Sequence, residues 1–214
     1  MNRLNTLIAL AAAGFGLAAC GNGTGTAHYI IDPPTSTQRS GDQLGATELK
    51  DVSLPDYAAA DEIAWQGADG AVRSSTKILW ADTPERAFTI TLAAEISEIS
   101  GGSVVPEPWP FPSPPQHRLD VRVEQALASN DGYFHLKGRY FVSAEGAGAG
   151  SHHTRVFDIS VPVNQNEPQS VADAASVSIT MLAEQIAALG GPGTTIVATE
   201  PAAADPYADL PPLF

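Results

Sequence analysis

The sequence predicts an α+β fold, a two-layer α/β sandwich in which two main helices pack on one face of a largely antiparallel sheet. Apolar and polar residues alternate over residues 119–124, 133–142 and 154–163, and short polar turns separate these stretches, as in an antiparallel meander. Apolar residues recur at helical spacing after Thr83 and again after Ser170. Because alternating strands have one apolar side, the helices are expected to cover it. Six or seven strands are expected in all.

The strands of the first half are shorter. "HYII" (28–31) is a strand candidate that Asp32-Pro33-Pro34 ends, and "LGATELKDVSL" (44–54) is a weakly alternating one. "DEIAW" and "GAVRSST" flank residues 67–70, Gly-Ala-Asp-Gly, which are typical of a hairpin turn.

Both helices carry start and stop signals. Thr83 is a candidate N-cap with Pro84 at the first helical position, and Gly101-Gly102 end that helix. The last helix is predicted to start near Ser170, in a capping-box variant, and to end at Gly190-Gly191.

Between the first helix and the meander, residues 104–118 read "VVPEPWPFPSPPQHR". With six prolines, this stretch is predicted to be an extended, polyproline-like loop rather than a regular element. It carries Trp109 and Phe111. These rings are candidates for contact with a partner or a lipid; the alternative, which we favour from sequence, is that they fold back to cap the core.

The N-terminus has the layout of a secretory signal. Arg3 precedes an apolar run too short and too rich in small residues for a membrane span. Leu17, Ala18, Ala19 and Cys20 match the bacterial lipobox, in which the cysteine takes a diacylglycerol and becomes the first residue after cleavage. A free cysteine in an ordinary signal peptide is the alternative, and an unpaired thiol in a secreted protein is unusual.

The predicted organisation is a lipoprotein signal peptide (1–19), a flexible tether (20–27), one domain (28–190) and a disordered Pro/Ala-rich tail (191–214). Among 214 residues there is one cysteine, so an internal disulfide cannot form. The formal net charge of −13 argues against nucleic acid and against binding to anionic lipid headgroups through charge. The predicted attachment to the membrane is therefore through acyl chains, such as palmitate, on Cys20.

No pattern in the sequence indicates catalysis. There is no Gly-x-Ser-x-Gly pattern and no P-loop, and we expect neither enzyme activity nor a cofactor. His152 and His153 suggest a metal site, but neighbouring residues on a strand point to opposite faces, so no metal is expected there. Tyr57 is expected to be a packed corner residue. The terminal "DLPPLF" is interpreted as disordered, with a peptide ligand for another protein as the alternative.

Four features together resemble the auxiliary lipoproteins of ABC-type transporters, the PqiC/YmbA group. They are the lipobox followed by "HYII", then "VSLPDYAAADEIAW", "LWADTPERAFTITLAAEI", and "HRLDVRVEQALASNDGYFHLKGRYFV". The likeness spans residues 17–190 and lies in the order and spacing of these segments. The chain departs from the family at residues 58–60, at Asp82 and in its long C-terminal tail.

The resemblance implies a lipid-anchored, periplasm-facing subunit that works with a mammalian-cell-entry (MCE) type protein in phospholipid transport between membranes. Its role would be docking and positioning, since the chain has no P-loop. Gly21 and Asn22 follow the cysteine where an Asp would favour inner-membrane retention, so the outer membrane is expected. The alternative is a structural or assembly lipoprotein of an outer-membrane barrel or the cell wall. The sequence leaves homo-oligomer formation open.

Overall fold

The computed structural model describes residues 25–145 and 150–197. In these residues, the two long helices are α2 and α3, and a short helix, α1, precedes them. The helices are α1 (Asp56–Ala59), α2 (Pro84–Ser100) and α3 (Pro168–Ala187). The strands are β1 (Ala27–Tyr29), β2 (Ala46–Leu49), β3 (Trp65–Gln66), β4 (Val72–Arg73), β5 (Ile78–Trp80), β6 (Ser103–Pro106), β7 (His117–Ala128), β8 (Tyr133–Ala144), β9 (Ser151–Pro162) and β10 (Gly193–Val197).

The main sheet has the strand order β10-β9-β8-β7-β2-β6. Strands β7 to β10 are antiparallel, whereas β2 runs parallel to both of its neighbours, β6 and β7. The β3–β4 hairpin joins the end of β7. The predicted meander of three strands and the predicted hairpin at residues 67–70 are confirmed. The sheet is larger than predicted because two strands that were not predicted, β6 and β10, form its two edges.

The two long helices cover one face of the main sheet, as predicted. Alternate residues of the meander strands point toward them, and those in the middle of each strand are buried. The helices α2 and α3 also pack against each other. The largest side chains that are fully buried there include Tyr140, Phe157, Leu92, Leu119, Leu136, Ile159 and Ile179. Alternation in the strands and helical spacing in the helices therefore meet in one core.

The strand predicted at "HYII" exists but belongs to a second, smaller sheet. β1 pairs with β5 in parallel, Tyr29 standing opposite Trp80. The chain then passes α3, where the backbone N–H of Asp32 donates to Ser176 Oγ at 3.0 Å. This two-stranded sheet closes the end of the core where α2 and α3 begin.

Two sequence expectations are wrong. Within residues 104–118, Val104 to Pro106 belong to β6, which pairs with β2, and His117 and Arg118 begin β7, so only residues 107–116 are irregular. In the tail predicted to be disordered, Gly193–Val197 form β10 against β9. All five of its residues are exposed, so no alternating pattern marked it. The long helix α3 begins at Pro168, close to Ser170, where its start was predicted.

Helix α2 has the predicted boundaries, but the predicted N-cap residue does not cap the helix through its side chain. Pro84 is the first helical residue, but the Thr83 side chain makes no capping hydrogen bond. Gly101 ends the helix in the left-handed region at φ 75°, where glycine lacks the steric penalty of a side chain. The lipobox with Cys20, most of the tether and residues 198–214 lie outside the described residues.

Candidate interaction surface

The proline-rich segment is a crossover connection, and the sheet order explains why it exists. β6 and β7 both run parallel to β2 and lie on either side of it. The chain must therefore return across β2 between Pro106 and His117. A helix usually makes such a connection; here residues 107–116 make it over the sheet face opposite the helices. Two backbone bonds hold its ends, from Glu107 N to Leu49 O (2.8 Å) and from Gln116 N to Ala46 O (2.7 Å).

Glu48 of β2 lies beneath this crossover and binds both the loop and the strand that follows it. Its Oε1 accepts a hydrogen bond from Trp109 N at 2.9 Å, and its Oε2 accepts one from Arg118 Nε at 3.0 Å. The crossover leaves Glu48 only 8% exposed. The hydrogen bond to Glu48 raises the pKa of Arg118, and Glu145 at 3.6 Å adds to this effect. A carboxylate that is buried and doubly bonded in this way fixes where the loop lies.

Trp109 and Phe111 form a small aromatic platform on this loop. Their ring centroids are 5.0 Å apart in an edge-to-face arrangement, and Trp109 Nε1 donates to Ser113 O at 2.6 Å. Trp109 is half-buried and Phe111 is 53% exposed. The expectation that these rings cap the core is wrong, because the crossover carries them to the face away from the helices. They remain candidates for contact with a partner or a lipid.

The sheet face opposite the helices, called the outer face below, also carries paired charges. Arg122 binds the Asp120 carboxylate through two hydrogen bonds (3.1 and 2.9 Å), and its guanidinium lies 5.0 Å from the centre of the Phe141 ring. Arg139 pairs with Glu124 at 2.9 Å. Two further pairs on this face are Lys50–Asp120 (3.8 Å) and Lys137–Asp158 (3.1 Å).

This face therefore differs in charge from the molecule as a whole. The chain has 11 basic and 24 acidic residues. Five of the basic residues are on the outer face, each beside a carboxylate: Lys50, Arg118, Arg122, Lys137 and Arg139. Arginines beside exposed aromatic rings are the composition that protein–protein interfaces favour. The outer face with its aromatic platform is the strongest candidate interaction surface of the described residues.

The histidines have separate surroundings. His153 Nδ1 lies 3.0 Å from Thr195 Oγ1 on β10, and burial together with Arg155 lowers the pKa of His153. His135 lies 2.8 Å from Asp131 Oδ2, and this contact lowers the pKa of Asp131. In residues 25–145 and 150–197, no three His, Cys, Asp or Glu side chains converge as a metal site requires.

The structure also places Tyr57, whose half-buried side chain was expected to pack at a corner. Its hydroxyl accepts a hydrogen bond from Ala126 N at 3.3 Å, which joins α1 to β7. Glu48 and Arg118 were missed by the sequence reading, because nothing local indicates that residues so far apart meet. The alternation of charge with apolar residues in "RLDVRVE" was the one available signal for the outer face.

Comparison of the sequence with models of known protein families gives a match. A family model described as "ABC-type transport auxiliary lipoprotein component" matches residues 29–187. The chain belongs to this family. By that description the family is one of transport components rather than enzymes. No curated protein sequence matches the chain.

Two crystal structures share the fold of this family member. A protein described only as uncharacterized has a TM-score of 0.59 at 20% identity, over 74% of this chain and 99% of its own. A protein from Xanthomonas campestris of the DUF330 family has a TM-score of 0.56 at 12% identity, over 72% and 90%. Among the described residues, no helix has the length and apolar character needed to cross a bilayer.

Proposed function

We propose that the chain is the auxiliary lipoprotein of an MCE-type phospholipid transport system, anchored in the outer membrane and facing the periplasm. It acts by docking on the transport protein and positioning it, and it takes no part in catalysis. The observation that carries this proposal is the family match over residues 29–187, which assigns the chain to the auxiliary components of ABC-type transport.

The anchor in this proposal is Cys20. Its thiol forms a thioether with a diacylglycerol group donated by a membrane phospholipid, whose headgroup phosphate leaves with the thiol proton. Leu17 and the two small residues Ala18 and Ala19 precede the cleavage site. Additional acylation makes the attachment stable, since one acyl chain alone binds a bilayer only marginally. Gly21 and Asn22 favour transfer to the outer membrane.

The docking surface in this proposal is the outer face of the sheet. The aromatic platform and the paired arginines offer rigid anchors, and the prolines around Trp109 and Phe111 reduce the entropy lost on binding. Because the ion pairs on this face neutralise one another, the transport protein meets a surface without the strong acidity of the rest of the molecule.

Purification of the tagged full-length lipoprotein from membranes in mild detergent tests the proposal. The wild type is expected to retain an MCE protein, and Phe111→Ala is expected to reduce the retained amount about tenfold or more. Val72→Ala is the matched control, because Val72 is 45% exposed but lies on the β3–β4 hairpin. Retention of an outer-membrane barrel or cell-wall material without any transport protein would instead support a structural lipoprotein.

A further inference from the structure

A second feature of the surface is an apolar groove of about 280 Å³ between the end of β1 and helix α2. Ile30 and Ile90 stand on its two sides, 68% and 45% exposed. Ile31, Trp80 and Ala87 are among the residues that line it. Exposed isoleucines that face a shared concave surface are costly in water, so a groove of this kind indicates an apolar occupant.

The charged groups at the groove already have partners. Asp82 and Arg86 lie along one side and form an ion pair with each other, one helical turn apart. What the groove offers to a ligand is therefore hydrocarbon surface. This chemistry fits an acyl chain better than a peptide, whose backbone would bring N–H and C=O groups that need partners.

The groove lies next to a second apolar cavity. Ile31 and Trp80 form part of its wall and, at the same time, part of the lining of a second, partly open cavity of about 40 Å³. The other residues around this cavity include Leu54, Phe88 and Phe134, all apolar. An occupant of the groove thus lies against the end of the protein core.

The course of the chain indicates where such an acyl chain comes from. Strand β1, which leads into the groove, begins at Ala27, and Cys20 precedes it by seven residues. Seven residues reach at most about 25 Å, so a lipid on Cys20 stays within about 25 Å of the start of β1 and can reach the groove. We propose that the groove binds one acyl chain of the lipid carried by Cys20. This inference rests on the lipidation in the proposed function.

Binding of this kind has a consequence for orientation. The remaining acyl chains stay in the bilayer, and the groove-bound chain holds the β1–α2 side of the domain close to the membrane. Each methylene group gains about 0.8 kcal/mol on leaving water for either apolar environment, so exchange between groove and bilayer costs little. The domain would then no longer be free to rotate above the membrane.

In-cell photo-cross-linking tests the inference on the full-length lipoprotein. Cells are supplied with a fatty acid that carries a terminal diazirine, and the purified protein is analysed by peptide mass spectrometry after irradiation. The expected product links the acylated Cys20 peptide to residues around Ile30 or Ile90 of the same chain. Ile30→Asn and Ile90→Asn should each lower its yield about fivefold, since the polar side chain removes apolar contact with the acyl chain.

Ile196→Asn is the matched control, because Ile196 is 63% exposed but lies on the edge strand β10. In this variant the yield of the cross-link between the Cys20 peptide and the groove should not change. Circular dichroism melting curves confirm that each variant is folded. An acylated Cys20 that cross-links only to bilayer lipid or to other proteins overturns the inference and leaves the anchor intact. Cross-links from the groove to free phospholipid also overturn it. A Cys20 without any acyl group contradicts the proposed lipidation and the inference together.

Discussion

At the scale of single residues, one buried glycine allows two strands to pass closely. Gly138 of β8 stands opposite Val123 and Phe157, where a β-bulge shifts the pairing of β7. A Cβ atom built there would lie 2.2 Å from the carbonyl oxygen of Arg122 and 2.8 Å from the Phe157 ring. The first of these neighbours is backbone and cannot rotate away.

Gly138→Ala is therefore expected to reduce the free energy of unfolding by about 2 kcal/mol or more, as overpacking does in other cores. Urea denaturation measures the loss. Gly41→Ala is the control, because a Cβ at Gly41 meets nothing within 4 Å. Equal stability of the two variants would show that β7 and β8 do not approach as described.

A second residue-scale prediction concerns Glu95, whose carboxylate lies between α2 and α3. Partial burial raises the pKa of Glu95, and the nearby Glu98 and Glu184 add to the effect, against a hydrogen bond from Thr180 that lowers it. A raised pKa in the folded state means that stability is lost as the pH rises through it. Glu95→Gln should therefore stabilise the protein at pH 7.

The expected gain is a few tenths of a kcal/mol, the size of a like-charge pair on a helix, and it should vanish below the ordinary pKa of a glutamate. Thermal unfolding at pH 7 and at about pH 4 measures it. Glu98→Gln is the control, since it breaks the pair with Arg39 at 3.1 Å and should bring no gain. A gain that is the same at both pH values would mean that the charge of Glu95 is not its cause.

At the scale of elements, the crossover between β6 and β7 depends on one carboxylate beneath it. Glu48→Ala removes the acceptor of the Trp109 N–H and the partner of Arg118. The expected cost is about 1.5–2 kcal/mol, typical of hydrogen bonds to a charged group. Amide hydrogen exchange at Trp109 should become at least about tenfold faster.

The matched control for this change is Glu124→Ala on the same face. The pair of Glu124 with Arg139 is exposed at both ends, so its loss should cost less than about 0.5 kcal/mol and leave exchange at Trp109 unchanged. If Glu48→Ala behaves like this control, the loop is held by its prolines alone.

The elements of the fold differ in how well they could be predicted from the sequence. Alternation over residues 119–124 identified strand β7 and separated its buried face from its charged face, because both depend on neighbours two residues apart. The path of residues 107–116 could not be predicted in this way, because it depends on β2 lying between β6 and β7. The pairing of β2 with β7 joins residues that are 70 positions apart in the sequence, such as Glu48 and Arg118. β10 was missed because exposure of all its side chains leaves no periodic signal.

At the scale of the whole molecule, the described domain has two sides of different character. The helices and the β1–α2 groove close one side, and the open sheet face, with its crossover loop, presents aromatic rings and neutralised charges on the other. The family assignment rests on the match to the family model over residues 29–187, and it is independent of this division. The division itself predicts which side meets the transport protein.

Site-specific photo-cross-linking in living cells can identify the side of the domain that binds the transport protein. A photoreactive phenylalanine analogue is placed at Phe111 in one strain and at Ile196 in another, and the adducts are identified by mass spectrometry. We expect an adduct between position 111 and an MCE-type transport protein, and none at position 196. Adducts of position 111 with a barrel or with cell-wall material alone, or a transport adduct at position 196 only, would contradict it.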